Sequence, residues 1–538
     1  MQTKQFVRDA TGLVREFGAV DTLLFASAMV FALVFTIQQF AWFYGSTLGA
    51  SLPLTLVVAA IPFVFLMLAY WAIGVVMPRT GNDYLWVGRI FRPSIGFAWA
   101  ALYMFVVFFV AYVGEVSPFA TAFSSAFTAL GLTSNSASLI DLGTFLGSSW
   151  GTFMLAALFT LLFGVFAIFG NKLIKGFMYT TWIVAIIGMI LMWYILGSTS
   201  NATFASNWNQ MIGSLNSSYA YSALQSTAIN KAGFPGNAVG FAAIVTALPF
   251  AFLFLFGGNY ANAFAGEIKN VKRSIPVALF LSLIFGVIYW SITSTLTLNA
   301  INHDWITPVG YAWLTNGAGS AAYPLPYAPT QTLFLAVAAY PNNLLISVMF
   351  FTYLVGSLGA LFAYFWIPSK YFFAWAFDRV IPSKFANVSS RFNTPYVSIL
   401  AIVVLGVVLS YLYLILGYFT YFTLGTVLWG VSYIMPALAL MAFPYVKKDL
   451  FATAPGWVGK KVAGIPLVTL VGLLTAIGFG YVGFVAYTNP LITAPNVNSV
   501  LLALAVLVVA FVVYFASRFY HKGKGMDISM ALKEIPPE

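Results

Sequence analysis

Few residues in this sequence have side chains suited to bond-making chemistry. The 538 residues include no cysteine, and the two histidines, His303 and His521, lie far apart in the chain. A thiol nucleophile, a disulfide framework and a thiolate metal site are therefore excluded, and a zinc or haem centre is disfavoured. The sequence has no glycine-rich motif for a nucleotide phosphate. These residues predict no catalytic site, no resident metal and no cofactor.

Two other features could act on a small molecule through its charge and its hydrogen bonds. The first is the pair of glycines in Phe256-Gly257-Gly258-Asn259, in the middle of a long apolar stretch. Glycine costs a helix about 1 kcal/mol relative to alanine. The pair therefore indicates either a break that exposes backbone donors and acceptors, or a close contact between two helix faces built from small residues.

The second feature is Glu115, the only ionisable residue well inside an apolar stretch of this sequence. A charge at that depth costs about 3 kcal/mol or more unless it is paired or faces water. Glu115 is therefore a candidate for proton or cation coupling, or for the wall of an outer vestibule. The alternative is a glutamate near the interface whose neighbours satisfy it.

The composition shows what surrounds these residues. Apolar residues make up 61% of the chain, aromatic residues 18% and charged residues only 7%, whereas a soluble domain has about 25% charged residues. So few charges could not keep the surface of a long soluble chain hydrated. A cytosolic enzyme, a nucleic-acid binder and a disordered protein are excluded, and a chain solvated by lipid is predicted.

Twelve stretches are long and apolar enough to cross a membrane as helices, which takes about 20 residues each. Strands are excluded because no stretch shows the alternation of a membrane barrel. We number the stretches spans 1 to 12; they cover residues 19–45, 52–78, 95–124, 151–169, 177–198, 240–263, 277–300, 343–367, 395–416, 418–444, 464–488 and 499–517. The run 332–340 is too short to cross and is predicted to be an amphipathic or re-entrant segment.

The lysines and arginines predict the orientation of these spans. If the N-terminus is cytoplasmic, 23 of the 24 basic residues lie on the cytoplasmic side and only Lys231 lies outside. This separation agrees with the positive-inside rule, and because one miscounted helix would mix the two sides, it also supports the count of twelve. We predict a multi-pass protein of the cell membrane, with both termini in the cytoplasm.

Three predicted cytoplasmic segments carry motifs. They are Met77-Pro-Arg-Thr-Gly-Asn-Asp-Tyr84, Ala265-Gly-Glu-Ile-Lys-Asn-Val-Lys-Arg-Ser-Ile-Pro276, and Ser369-Lys-Tyr-Phe-Phe-Ala-Trp-Ala-Phe-Asp-Arg-Val-Ile-Pro382 followed by Asn393-Thr-Pro395. Each resembles a signature of the amino acid–polyamine–organocation (APC) superfamily permeases, and the three follow the correct spans in the correct order. Asn82, Gly266, Val271 and Lys370 depart from the family patterns. The tail 525–538 resembles that of prokaryotic members, and an archaeal amino acid permease type is favoured.

The resemblance implies a fold and a domain organisation. The fold is an all-α membrane protein of twelve helices, in which spans 1–5 and 6–10 form a five-plus-five inverted repeat, followed by two C-terminal helices. Spans 1 and 6 are broken at mid-membrane in this family. The chain would then divide into an N-terminal segment 1–18, a transporter core 19–444 with repeats 19–198 and 240–444, helices 464–517 and a cytoplasmic tail 518–538.

The resemblance also implies where a substrate would bind. The unwound glycine of span 6 corresponds to Gly257, so the predicted contacts are Phe256, Gly257, Gly258 and Asn259. The glycine-rich break of span 1 corresponds to Ala32, Leu33 and Val34, which include no glycine. Either span 1 unwinds without glycine, or the glycine motif of the family aligns with other residues of span 1.

Further candidates follow from the same resemblance. Thr36, Ser357 and Tyr364 are candidates for the pathway, and packing against neighbouring helices is the alternative role for Thr36. Glu267, Asp378 and Arg379 are the charges predicted to pair in an inner gate, with membrane topology as the alternative role for their motifs.

These features predict a secondary active transporter that moves an amino acid by alternating access. A neutral or apolar amino acid is favoured because segment 252–260 is aromatic and uncharged, and a charged substrate would need an opposing buried charge. The predicted partners are this small molecule, a coupling proton and membrane lipid, with no nucleic acid and the oligomeric state left open. An amino acid or polyamine exchanger of the same fold is the alternative.

Two other classes are less favoured by the sequence. A channel or sensor would need a pore ring, a selectivity loop or an appended soluble domain, and the sequence shows none of them. A membrane-embedded enzyme would need a histidine cluster, a cysteine or an acidic pair within the spans. The chain is therefore predicted not to be an enzyme.

Overall fold

The computed structural model of the chain describes residues 12–30, 36–237, 240–419, 425–454, 456–489, 491 and 497–530. Ten helices in this part of the chain are long and apolar enough to cross a membrane, and they correspond to spans 2–5 and 7–12. They are Leu52–Val76, Pro93–Ser134, Ser149–Ile168, Asn171–Ser198, Val271–Ile301, Asn343–Phe377, Tyr396–Leu414, Val427–Val446, Leu467–Thr488 and Val497–Gly523. The predicted all-α, multi-span membrane fold is confirmed.

Spans 1 and 6 are represented by shorter helices. Span 1 has the helices Ala19–Val30 and Thr36–Thr47, and Ala32, Leu33 and Val34 lie outside the described residues. In span 6 the α-helix Phe241–Leu255 is followed by 3-10 turns at Gly258–Ala263 and Ala265–Glu267. The α-helix of span 6 thus stops at the glycine pair.

Short elements connect the spans. One of them, Gln331–Ala339, has every residue buried, so it is an internal helix and not an amphipathic surface segment. The only strands among the described residues form a small antiparallel hairpin in which Val462 lies opposite Ile465. The other helical connections are Asn82–Ile90, Ala137–Gly147, Asn201–Trp208, Asn209–Gly213, Ser217–Tyr219, Tyr221–Lys231, His303–Asn316, Ser383–Ala386, Lys448–Ala452, Gly456–Gly459 and Ile528–Met530; the strands are Lys461–Val462 and Ile465–Pro466.

Spans 3 and 8 each end ten residues later than hydropathy predicted. Span 3 runs from Pro93 to Ser134 and contains a π-helical stretch, Phe105–Val113. Span 8 continues to Phe377, and most of its last three turns are buried against protein. Hydropathy detects helix surface that faces lipid, so it missed these protein-facing turns. Lys370, which was predicted to lie in a connection, is therefore part of the span 8 helix.

Span 7 supports the helix ends of spans 1 and 6. A Cβ on Gly286 would overlap Val30 Cγ1 and lie 3.2 Å from Leu255 Cδ2, so a larger residue would push these neighbours away. The indole N–H of Trp290 donates to the carbonyl of Val30 at 3.0 Å. The last described residue of the first span 1 helix and the end of the span 6 helix therefore rest on neighbouring turns of span 7.

One side of the bundle is closed by backbone contacts, and we call it the N-terminal face, the side on which Phe17, Asp83, Glu267 and Asp378 lie. Lys269 N–H donates to the Phe17 carbonyl at 2.8 Å, and Phe17 N–H donates to the Glu267 carbonyl at 3.0 Å. Gly81 N–H donates to the Ala263 carbonyl at 2.9 Å. The N-terminal segment and the connection between spans 2 and 3 are therefore both fastened to the chain just after the span 6 break.

Candidate functional site

The break in span 6 depends on both of its glycines, for different reasons. Phe256 is extended, and Gly257 has φ +109°, a conformation that is strained for any residue with a Cβ. Gly258 lies so close to span 7 that a Cβ would be 2.8 Å from the Ser282 hydroxyl oxygen. The break and the close helix contact, offered above as alternatives, therefore occur together.

The helix that ends at the break presents its carbonyl groups there. The last helical bond of Phe241–Leu255 runs from Phe256 N–H to the Phe252 carbonyl at 3.0 Å. The carbonyls that follow have no amide partner within the helix, and they carry the partial negative charge of a helix C-terminus. Such a helix end attracts a positively charged group such as an ammonium.

Aromatic side chains surround the break. The Phe256 ring centroid lies 4.1 Å from that of Trp429 and 6.2 Å from that of Tyr364, and the Tyr260 ring lies 6.2 Å from Tyr364. We call these four side chains the aromatic wall. A small cavity beside it is lined by uncharged residues: Phe252, Leu253, Phe256, Trp429, Gly430 and Tyr433. This lining suits an uncharged, apolar group.

Two polar atoms of the aromatic wall are buried without a hydrogen-bond partner among the described residues. They are the Tyr260 hydroxyl and the Trp429 indole nitrogen, which lie near each other but outside good hydrogen-bond geometry. A buried polar group left unsatisfied costs about 1–3 kcal/mol. A polar ligand at the break could supply the missing partners.

Asn259 ties the break to spans 3 and 10. Its amide nitrogen donates to the Tyr103 hydroxyl at 3.1 Å, and the Tyr433 hydroxyl donates to its amide oxygen at 3.3 Å. All three side chains are buried. A movement of span 6 at Asn259 would therefore disturb both neighbouring spans.

Among the pathway and coupling candidates, Tyr364 lies at the break, whereas Ser357, Thr36 and Glu115 do not belong to the aromatic wall. Ser357 is buried about two turns away on span 8, and its hydroxyl donates to the Tyr353 carbonyl at 2.8 Å. Thr36 begins the second helix of span 1, and its side chain is outside the described part of the structure. Glu115 is partly buried just after the π-helical stretch of span 3 and interacts electrostatically with Tyr364. Glu115 therefore lies within electrostatic range of the aromatic wall.

Glu267, one of the predicted gate residues, forms a buried ion pair with Lys370. Glu267 Oε1 lies 2.6 Å from Lys370 Nζ, and each side chain is 1% exposed. Lys370 Nζ also lies 4.2 Å from the centroid of the Trp366 ring. Burial raises the pKa of Glu267, and the neighbouring ammonium of Lys370 opposes that rise. The prediction left out Lys370 because it placed this residue in a connection.

The other two predicted gate charges contact different elements. Asp378 is buried and accepts a hydrogen bond from the Tyr84 hydroxyl at 3.0 Å. Arg379 donates to Met526 Sδ at 2.5 Å, and its carbonyl accepts from the Ser517 hydroxyl at 2.8 Å. The three charges share the N-terminal face but fasten it at separate points: Glu267 to span 8, Asp378 to the connection after span 2, and Arg379 to span 12.

A third buried carboxylate on this face, Asp83, was not singled out from the sequence. It is 6% exposed and accepts hydrogen bonds from the Tyr84 N–H at 3.0 Å, from the Tyr371 hydroxyl, and from the Tyr70 hydroxyl at 3.4 Å. Burial raises the pKa of Asp83 to about 6, although these donors oppose the rise. A carboxylate in a predicted cytoplasmic connection is expected to face water, and Tyr371, its partner on span 8, lies 288 residues away, so no local pattern identifies it as buried.

The sequence was compared with known proteins and families. No curated protein gives a significant match to the chain. The profile of the amino acid permease family matches residues 22–513, nearly the whole chain. That match includes all of span 1 from residue 22 onward, the span 6 break, the aromatic wall and the buried carboxylates of the N-terminal face. The chain therefore belongs to the amino acid permease family, within the APC superfamily that its three motifs resemble.

Proposed function

We propose that this permease is a secondary active transporter that carries a neutral amino acid across the cell membrane by alternating access, coupled to protons. The observation that carries the proposal is the span 6 break at Gly257, with an uncharged aromatic wall around it. A broken helix offers both carbonyls and amides to a zwitterion, while the wall accepts its side chain.

The two ends of an amino acid would bind opposite backbone groups. The ammonium would lie against the free carbonyls at the end of Phe241–Leu255, and the carboxylate against amides at Gly257 and Gly258. Ala32, Leu33 and Val34 would contribute from span 1. The Tyr260 hydroxyl and the Trp429 indole, which are buried without partners among the described residues, would orient the substrate.

The coupling ion is proposed to be a proton bound at Glu115. Glu115 lies within span 3 and interacts electrostatically with Tyr364 of the aromatic wall. A proton on this carboxylate would change the field at the wall and so link ion binding to substrate binding. Thr36 and Ser357 would line the route to the site.

The inner gate is proposed to be the set of contacts on the N-terminal face. The Glu267–Lys370 pair, Asp378 and Arg379 fasten different elements there, and opening this face would release them. The repeats 19–198 and 240–444 would supply the two moving halves. With both termini in the cytoplasm, this gate would face the cell interior.

A binding screen tests the substrate class. The purified protein is heated with neutral, acidic and basic amino acids and with diamines, because a ligand that binds only the folded state raises the unfolding temperature. We expect large neutral amino acids to give the largest shift and Trp429→Ala to abolish it. Larger shifts from diamines would favour the polyamine exchanger.

A further inference from the structure

Asp83 is a buried acid in the connection after span 2, and the function proposed above gives it no role. Its carboxylate is held by the Tyr84 amide and by hydroxyls from span 2 (Tyr70) and span 8 (Tyr371). Within the described part of the chain, Asp83 makes no ion pair. A buried carboxylate without a cation is expensive when ionised, because hydrogen bonds replace only part of its lost hydration.

The groups that face Asp83 from the surrounding elements are mostly tyrosines. Besides Tyr70 and Tyr371, Tyr433 at span 10 is close enough to interact with it electrostatically. Tyr84, the next residue, donates its hydroxyl to Asp378, another buried carboxylate of this face. The same connection carries Arg79 and Arg89, and Arg89 donates to Met77 Sδ at 3.3 Å.

Hydrogen-bonding groups continue from Asp83 to the span 6 break. Tyr70, which donates to Asp83, also lies beside Asn259. Asn259 in turn bonds Tyr103 and Tyr433 next to the aromatic wall. Two side chains, Asn259 and Tyr70, therefore link the break to the carboxylate of Asp83.

We propose that Asp83 binds a proton while the N-terminal face is closed and releases it to that side when the face opens. The proposal rests on the alternating access proposed above. It assigns a second proton-binding residue, at the gate, in addition to Glu115 within span 3. Opening would separate span 2 from span 8 and expose Asp83 to water.

The direction of the coupling follows from linkage. In the closed state burial raises the pKa of Asp83 to about 6, and in water an aspartate returns to about 3.9. The closed state therefore binds the proton more tightly than the open state. Between about pH 4 and pH 6 each unit of acidification favours closure about tenfold, and above pH 6 the preference levels off because Asp83 is ionised in both states.

The absence of cysteine makes the test direct, since a single introduced thiol reports on one position. Ser369→Cys places a thiol in the closed face, at a residue with 0% exposure beside Lys370. Ser383→Cys places the same group at an exposed position on that face. The full-length protein in nanodiscs is labelled with a maleimide from pH 4.5 to 7.5, and the ratio of the two labelling rates removes the pH dependence of thiol chemistry.

We expect the labelling rate at Ser369→Cys, divided by that at Ser383→Cys, to rise about tenfold per pH unit up to about pH 6 and then to level off. In the Asp83→Asn variant this ratio should stay at the low value of the closed state at every pH. Tyr371→Phe removes a donor that lowers the pKa of Asp83, so its profile should level off at higher pH. A flat profile in the parent, an unchanged profile in Asp83→Asn, or an acid shift in Tyr371→Phe would each overturn the proposal.

The assay contains no substrate and no gradient, so its result is independent of transport. Uptake in liposomes together with a flat labelling profile would remove the role of Asp83 and leave the proposed function. The expected profile without uptake of any amino acid would remove the proposed function and leave a proton-sensitive gate.

Discussion

Lys370 Nζ lies 2.6 Å from Glu267 Oε1, and the pair joins span 8 to the segment that follows the span 6 break with both side chains 1% exposed. Water is almost excluded from this pair. When the N-terminal face opens, the ion pair must therefore either stay intact or expose both of its charged groups to water.

The first prediction concerns the loss of one partner of this pair. Glu267→Gln leaves the Lys370 ammonium buried without its counter-charge, so we expect a loss of about 3–5 kcal/mol in the free energy of unfolding. Adding Lys370→Met should recover most of it, because the replacement is apolar and of similar length. Denaturant unfolding of the purified variants measures both effects.

The exposed pair between Arg518 and Asp527 provides the control for that measurement. Arg518 Nε lies 3.5 Å from Asp527 Oδ1, and the two side chains are 41% and 40% exposed. Asp527→Asn should therefore lower the free energy of unfolding by no more than about 1 kcal/mol. A Glu267→Gln loss no larger than this would mean that the buried pair does not hold the face closed.

The second prediction concerns the glycines of the break. Gly257→Ala forces a Cβ onto a residue with φ +109°, and Gly258→Ala brings a Cβ within 2.8 Å of the Ser282 hydroxyl. Both should abolish substrate uptake while the protein still inserts, and Ser282→Gly should partly rescue only Gly258→Ala. Gly480→Ala, whose Cβ would meet nothing closer than 3.9 Å, should transport normally. Normal uptake by Gly257→Ala would contradict a functional break.

The third prediction separates a ligand-binding hydroxyl from a structural one. Tyr260→Phe removes a buried hydroxyl that has no partner among the described residues, so stability should be unchanged or higher. If that hydroxyl binds substrate, affinity should fall by about 1–3 kcal/mol, or roughly 5- to 150-fold. Tyr353→Phe removes a similarly buried hydroxyl about 16 Å along span 8 from Tyr364. An equal effect of both variants on affinity would argue against a substrate contact.

The fourth prediction concerns coupling at Glu115. Glu115→Gln keeps the shape of the side chain but cannot change charge, so accumulation driven by a pH gradient should fall more than exchange of substrate across the membrane. Parallel uptake and counterflow assays give the two rates. Equal losses in both assays would assign Glu115 to the vestibule or to packing, and uptake that requires sodium and ignores the pH gradient would remove proton coupling.

The sequence predicted the features that follow from composition and local conformation. The membrane helices follow from apolar runs of sufficient length, and the break follows from the glycine pair, because Gly257 needs a positive φ and Gly258 a close neighbour. Tyr364 was selected by family resemblance, and the structure places it in the aromatic wall.

Features that depend on distant contacts could not be predicted in this way. Lys370 and Glu267 are 103 residues apart, and Asp83 and Tyr371 are 288 residues apart. Hydropathy assigns charged residues to water, whereas the carboxylates of Glu267 and Asp83 are buried by helices that the fold brings together. The small cavity at the break likewise combines spans 6 and 10, so its shape is not encoded in any one segment.

Uptake by the purified protein in liposomes is the most direct test of the central claim. Proteoliposomes at equal pH inside and out, or with an acidic exterior, receive labelled leucine or phenylalanine, and Gly257→Ala serves as the inactive control. We expect accumulation above the external concentration only with the acidic exterior, and its loss when the gradient is dissipated. No uptake of leucine or of phenylalanine under either condition, in protein that remains folded, would contradict the proposed transport function.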